Sequence, residues 1–123
     1  MFNVIIIGGE NIPSYDVFQR ECIKFLRGKA ESGERIRILS TGDEYVTKFC
    51  YMFGIETKTI YCDWKRNGRA ALAVRNKAIV AEANAIIYFD SNKKDLDMLY
   101  DYALNHGLAN SQRRVLISNL ITP

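Results

Sequence analysis

The residues of this chain whose types could do chemistry crowd into one stretch, Asp63-Trp64-Lys65-Arg66-Asn67-Gly68-Arg69-Ala70-Ala71-Leu72-Ala73-Val74-Arg75-Asn76. Guanidinium and ammonium groups bind oxyanions, arginine through paired N–H donors that match a phosphate or carboxylate. Arg75 and Asn76 fall in the early turns of a predicted helix, where the helix dipole already favours an anion. Trp64, in the loop before that helix, offers a flat face on which a base can stack. A bland reading stands beside this one: Trp64 as a core or loop anchor, and Arg75 paired with an acidic neighbour such as Asp63.

Three shorter segments join it. Gly8-Gly9-Glu10-Asn11 follows an apolar run, and paired glycines there either let the backbone approach a phosphate or simply make a turn. Ser40-Thr41-Gly42-Asp43 brings two hydroxyls, a permissive glycine and a carboxylate to a strand-to-helix turn. Thr41, Gly42 and Asp43 can hold a ribose or phosphate there, or Asp43 can cap the next helix, and the two roles are compatible. Asp90-Ser91-Asn92-Lys93-Lys94 is the third. Neither GxGxxG nor GxxxxGK[ST] occurs, so the dinucleotide fingerprint and the P-loop are both absent.

Along the chain, short β-branched runs alternate with amphipathic segments, which implies βαβ units around a parallel sheet. Strands are expected at 2–7, 35–40, 55–61, 85–89 and 115–118. Helices are expected from Ser14 into the glycine-containing stretch 28–33, then over 43–53 with Gly54 as its stop, 70–83 and 94–106. The alanine-rich 70–83 segment has high intrinsic helix propensity. The expected fold is α/β: a Rossmann-like three-layer open parallel sheet of about five strands in order 3-2-1-4-5. In such sheets ligands bind beyond the carboxyl ends of the strands, where strand order reverses. All the segments above follow strands and converge on that edge.

Composition narrows the function classes. With 123 residues, 48% hydrophobic and 25% charged, the chain is read as one globular domain without a membrane span. The apolar run Val4-Ile5-Ile6-Ile7 lacks a basic leader and reads as a buried strand. Three cysteines at irregular spacing suit neither a disulfide framework nor a metal knuckle, so no metal is expected and a reducing cytoplasm is the simplest home. A net charge of +3 with scattered basic residues makes nucleic acid a poor partner and a small anion a good one. No bound cofactor is called for. His106, before Gly107, is placed to meet the last carbonyls of its helix.

The DWK…G…A…RN order of Asp63, Trp64, Lys65, Gly68, Ala70, Arg75 and Asn76 resembles the signature of the YspA-like branch of the SLOG superfamily, domains related to the DprA and LOG families. VIIIGGE resembles that family's opening strand and glycine turn, Asp43 through Gly54-Ile55 its aspartate-led helix, and Ala83 through Phe89 its "ADxxIAF" strand. The resemblance covers nearly the whole chain. It implies a Rossmannoid domain binding a nucleotide or nucleotide-derived small molecule as a sensor or sequestering protein. Taken with the loops at the carboxyl edge, the expected ligand contacts are Gly8, Gly9, Glu10, Thr41, Gly42, Asp43, Asp63, Trp64, Lys65, Arg69, Arg75, Asn76, Asp90 and Ser91.

The chain also departs from the family. LOG-type hydrolases of the N-glycosidic bond carry PGGxGTxxE after the fourth strand; here Phe89-Asp90-Ser91-Asn92-Lys93-Lys94-Asp95-Leu96-Asp97 has no glycine. No catalytic base is assigned, and Asp95 and Asp97 read as partners of a helix dipole. Leu72 stands where the family commonly has glycine, and the Ser40–Asp43 turn is shorter than its counterpart. Two further expectations follow: a hydrolase with Asp43, Glu10 or Asp90 as polarising carboxylate, or a domain acting through a protein interface as a homodimer, with Tyr51 and Tyr102 exposed.

Overall fold

The first strand explains the layers. In β1 (Phe2–Ile7) the last four residues are all buried, as a strand covered on both faces must be. Side chains alternate across the sheet, so Val4 and Ile6 join one core while Ile5 and Ile7 join the other. A computed structural model describes residues 1–8, 12, 14–89 and 94–108. Gly9, Glu10, Asn11, Asp90, Ser91, Asn92, Lys93 and the strand expected at 115–118 lie outside the described residues.

The remaining elements are α1 (Tyr15–Glu31), β2 (Ile36–Ser40), α2 (Glu44–Phe53), β3 (Glu56–Thr59), a short α3 (Trp64–Asn67), α4 (Ala71–Glu82), β4 (Ala85–Tyr88) and α5 (Lys94–Ala103). The sheet runs β3-β2-β1-β4 with every pairing parallel. Those are the first four positions of the expected 3-2-1-4-5 order. After β3 the chain returns past β2 and β1 to lay β4 against the other side of β1, so the switch point lies between β1 and β4.

One core packs Phe18, Cys22 and Leu26 of α1 and Val46, Phe49 and Cys50 of α2 against Val4, Ile6, Ile38 and Ile87. The opposite core packs Ile79 and Val80 of α4 and Leu99 and Ala103 of α5 against Ile5, Ile7, Leu39 and Ile86. The result is helix–sheet–helix, the three-layer α/β arrangement read from the sequence. Ser14 caps α1 by accepting from the Val17 N–H, and α2 ends at Gly54. α1 runs through Gly28 and ends at Glu31, inside the glycine-containing stretch 28–33 where its end is expected.

β2 and β4 each fall one residue short of expectation, and β3 differs most. β3 is only four residues, Glu56–Thr59, where 55–61 is expected, because its sequence ETKT is polar and lies on the open edge of the sheet. Charged side chains on an edge discourage pairing with another chain. Lys58 and Arg37 both reach Glu82 at the end of α4, and Arg35 reaches Glu56. No helix of the described residues is long and apolar enough to cross a membrane.

Candidate functional site

At the carboxyl edge of the sheet, Thr41, Gly42, Asp43, Cys62, Trp64, Leu72, Arg75, Asp95 and Leu96 line a cavity of about 250 Å³. They come from the loops after β2 and β3, from the start of α4 and from the first turn of α5, which follows β4. This is the place the strand-order rule selects. The volume lies just below the usual range for small-molecule pockets, about 300–1,000 Å³, so the wall suits a small ligand.

Arg75 is the cation among the lining residues, which also include Asp43 and Asp95. Arg75 is 6% exposed, and its Nε donates to Asn76 Oδ1 at 2.9 Å. Among the described residues its side chain has no ion pair and no other hydrogen bond. Among the described residues no buried side-chain polar atom is left without a partner, and Arg75 is one of the residues that line the cavity. A charge buried to this degree is costly unless something of opposite sign meets it. Asn76, which sequence reasoning places on the ligand, is 4% exposed and absent from the cavity wall; its carbonyl holds the guanidinium from behind.

Trp64 is 54% exposed at the cavity and is not a core anchor. It opens α3 and does not lie in an unstructured loop, because the Asp63 carboxylate accepts from the Arg66 N–H and caps that turn. Asp63 is thus occupied locally and is not on the cavity wall; nor is it an ion-pair partner of Arg75 among the described residues. Lys65 and Arg69 are solvent-exposed and off the cavity lining.

The turn after β2 does what its residues allow. Ser40, fully buried, accepts the Gly42 N–H at 3.0 Å through Oγ. Gly42 has φ +102, a conformation that side-chain-bearing residues rarely adopt. Asp43 caps α2, its Oδ1 accepting from the Tyr45 N–H at 2.9 Å and the Val46 N–H at 3.1 Å, and it lines the cavity as well. Gly8 serves that carboxylate: a Cβ added to Gly8 would stand 2.6 Å from Asp43 Oδ1. The missing side chain at Gly8 therefore makes room for Asp43.

Cys62, Leu72, Asp95 and Leu96 complete the wall and are not among the ligand contacts the sequence nominates. The available signal for Asp95 was its place in the first turn after β4, beside the switch point; helix-dipole pairing explains it just as well from sequence alone. His106 Nδ1 meets the Tyr102 carbonyl oxygen at 2.8 Å, and its ring stacks on Tyr102 at 3.8 Å. Tyr102, expected to be exposed, is half-buried against the core between α4, α5 and the sheet, while Tyr51 is 88% exposed. Among the described residues no three His, Cys, Asp or Glu side chains gather as a metal site requires. Compared with family models, curated proteins and solved structures, the chain matches none.

Proposed function

We propose that this chain binds a nucleotide or nucleotide-derived small molecule at the carboxyl edge of its sheet, as a sensor or sequestering protein and not as an enzyme. The observation that carries the reading is Arg75, a buried guanidinium that forms no ion pair among the described residues, on the wall of a cavity at the switch point. An oxyanion would supply that charge and take paired hydrogen bonds. Trp64 at the same cavity supports a base stacked across its face. The nucleotide class also draws on the resemblance of the Asp63–Asn76 stretch to YspA-like SLOG domains. Unpaired cysteines favour a reducing cytoplasm, and exposed Tyr51 is the residue on which a homodimer would be sought.

Thermal melting against AMP, ADP-ribose, NAD and cyclic nucleotides tests this, since a ligand bound only by the folded state raises its melting temperature. Arg75→Met, close in length, should lower affinity for any compound that binds by about 10–150-fold, the worth of charge-assisted hydrogen bonds at about 1.5–3 kcal/mol. If no compound in the panel shifts the melt, the reading fails. One observation keeps a hydrolase in view: Asp43 and Asp95 place two carboxylates on the cavity wall with Arg75. Product released from a bound nucleotide, and lost in Asp95→Asn, would convert the binder into an enzyme.

A further inference from the structure

All three cysteines are free thiols, but they stand in different surroundings. Cys22 and Cys50 belong to the core between α1, α2 and the sheet. Burial pushes both thiols up, away from the reactive thiolate. Cys62 is half-buried and lines the cavity together with Arg75, Trp64 and Asp95. The cavity that Cys62 lines is also lined by Arg75, more than nine-tenths buried, whose one side-chain hydrogen bond among the described residues runs from Nε to Asn76 Oδ1 and leaves the terminal N–H groups for an anion.

We infer that Cys62 is a modification site inside the anion cavity: electrophiles and peroxides reach its sulfur when no anion is held at Arg75, and a group added to that sulfur keeps the anion out. The inference rests on the binding function proposed above and adds a control to it. With hydrogen peroxide, the sulfur attacks one peroxide oxygen, an S–O bond forms and the O–O bond breaks. The departing oxygen leaves as water with the thiol proton, so sulfur is oxidised by two electrons to a sulfenic acid and the peroxide is reduced. With iodoacetamide an S–C bond forms, the C–I bond breaks, iodide leaves with the electron pair and the proton passes to buffer. Either product takes up space in a cavity of about 250 Å³.

The test labels the native full chain with iodoacetamide, with and without AMP, and reads the adduct by intact mass and peptide mapping. A single early adduct on Cys62 is expected. At ten times the dissociation constant about one site in eleven is unoccupied, so AMP should slow labelling by about tenfold. Fully labelled protein should lose its AMP-induced thermal shift, whereas Cys62→Ser put through the same treatment should keep whatever shift it had before. Labelling of Cys22 or Cys50 ahead of Cys62 overturns the inference. So does an unchanged labelling rate in AMP that nonetheless raises the melting temperature, and that outcome leaves the binding function standing. If AMP and the other nucleotides shift no melt, both readings fall together.

Discussion

Replacing Gly8 with alanine tests how the two loops at the centre of the site are held. The new Cβ would stand 2.6 Å from Asp43 Oδ1, 2.9 Å from Cγ and 3.0 Å from Oδ2, closer than such atoms approach. The carboxylate is not free to step aside, because Oδ1 accepts the Tyr45 and Val46 N–H groups at 2.9 and 3.1 Å. Gly8→Ala therefore either swings Asp43 off the start of α2, losing a cap worth about 0.5–2 kcal/mol, or leaves it and strains the backbone by about 1–3 kcal/mol. A loss of about 2 kcal/mol is expected, or roughly 6–10 °C in melting temperature for a chain of this size. Asp43→Ala alone should cost about 1 kcal/mol. In the double variant the three atoms that obstruct the Gly8 Cβ are gone, so the second substitution adds little and the pair should couple by about 1–2 kcal/mol. Urea unfolding of the four proteins reads this directly. Additive losses would refute the argument that Gly8 is glycine because of Asp43.

Gly42→Ala should cost about 1–2 kcal/mol in urea unfolding, since φ +102 disfavours any Cβ and Tyr61 Cε1 lies 3.0 Å from where it would stand; an equally stable variant would mean that the turn relaxes freely. Trp64→Ala should leave stability within about 0.5 kcal/mol, the ring being largely exposed, yet weaken AMP binding by about 5–150-fold through lost stacking. Loss of both together would make Trp64 a structural residue. Cys22 predicts alkaline behaviour. Burial holds its folded pKa above the ordinary thiol value of 9.0, so its contribution is intact below that pH and declines as pH rises beyond it, by about 1.4 kcal/mol per pH unit. Cys22→Ala, though less stable at neutral pH, should show a shallower decline in chemical denaturation between pH 9 and 11, and parallel slopes would contradict this.

The order of elements was legible because each follows from a local period. Ile5 and Ile7 against Val4 and Ile6 encode a strand buried on both faces, and the alanine-rich stretch ending at Glu82 carries the high helix propensity that marks α4. Ser14, Asp43 and Gly54 mark helix ends because capping is chemistry between residues a few positions apart. Arg75 could likewise be singled out as a cation early in a helix after the third strand, on the edge where such sheets bind ligands.

The sharing of work within the site was not legible. Lys65, Arg69 and Arg75 are all nominated by the sequence as ligand contacts, yet packing of α4 against the sheet buries only Arg75 and leaves the other two in solvent. Gly8 and Asp43 lie in different loops, and their contact exists only because β1 and β2 pair in parallel with their carboxyl ends together. Asp95 and Leu96 reach the same wall because β4 crosses to the far side of β1 and delivers α5 there. Periodicity and capping act over a handful of residues, so the sequence by itself determined the strands, the helices and the edge they expose. Strand register and helix docking join residues far apart in the chain, and these alone decided which of the nominated side chains face one another across the cavity.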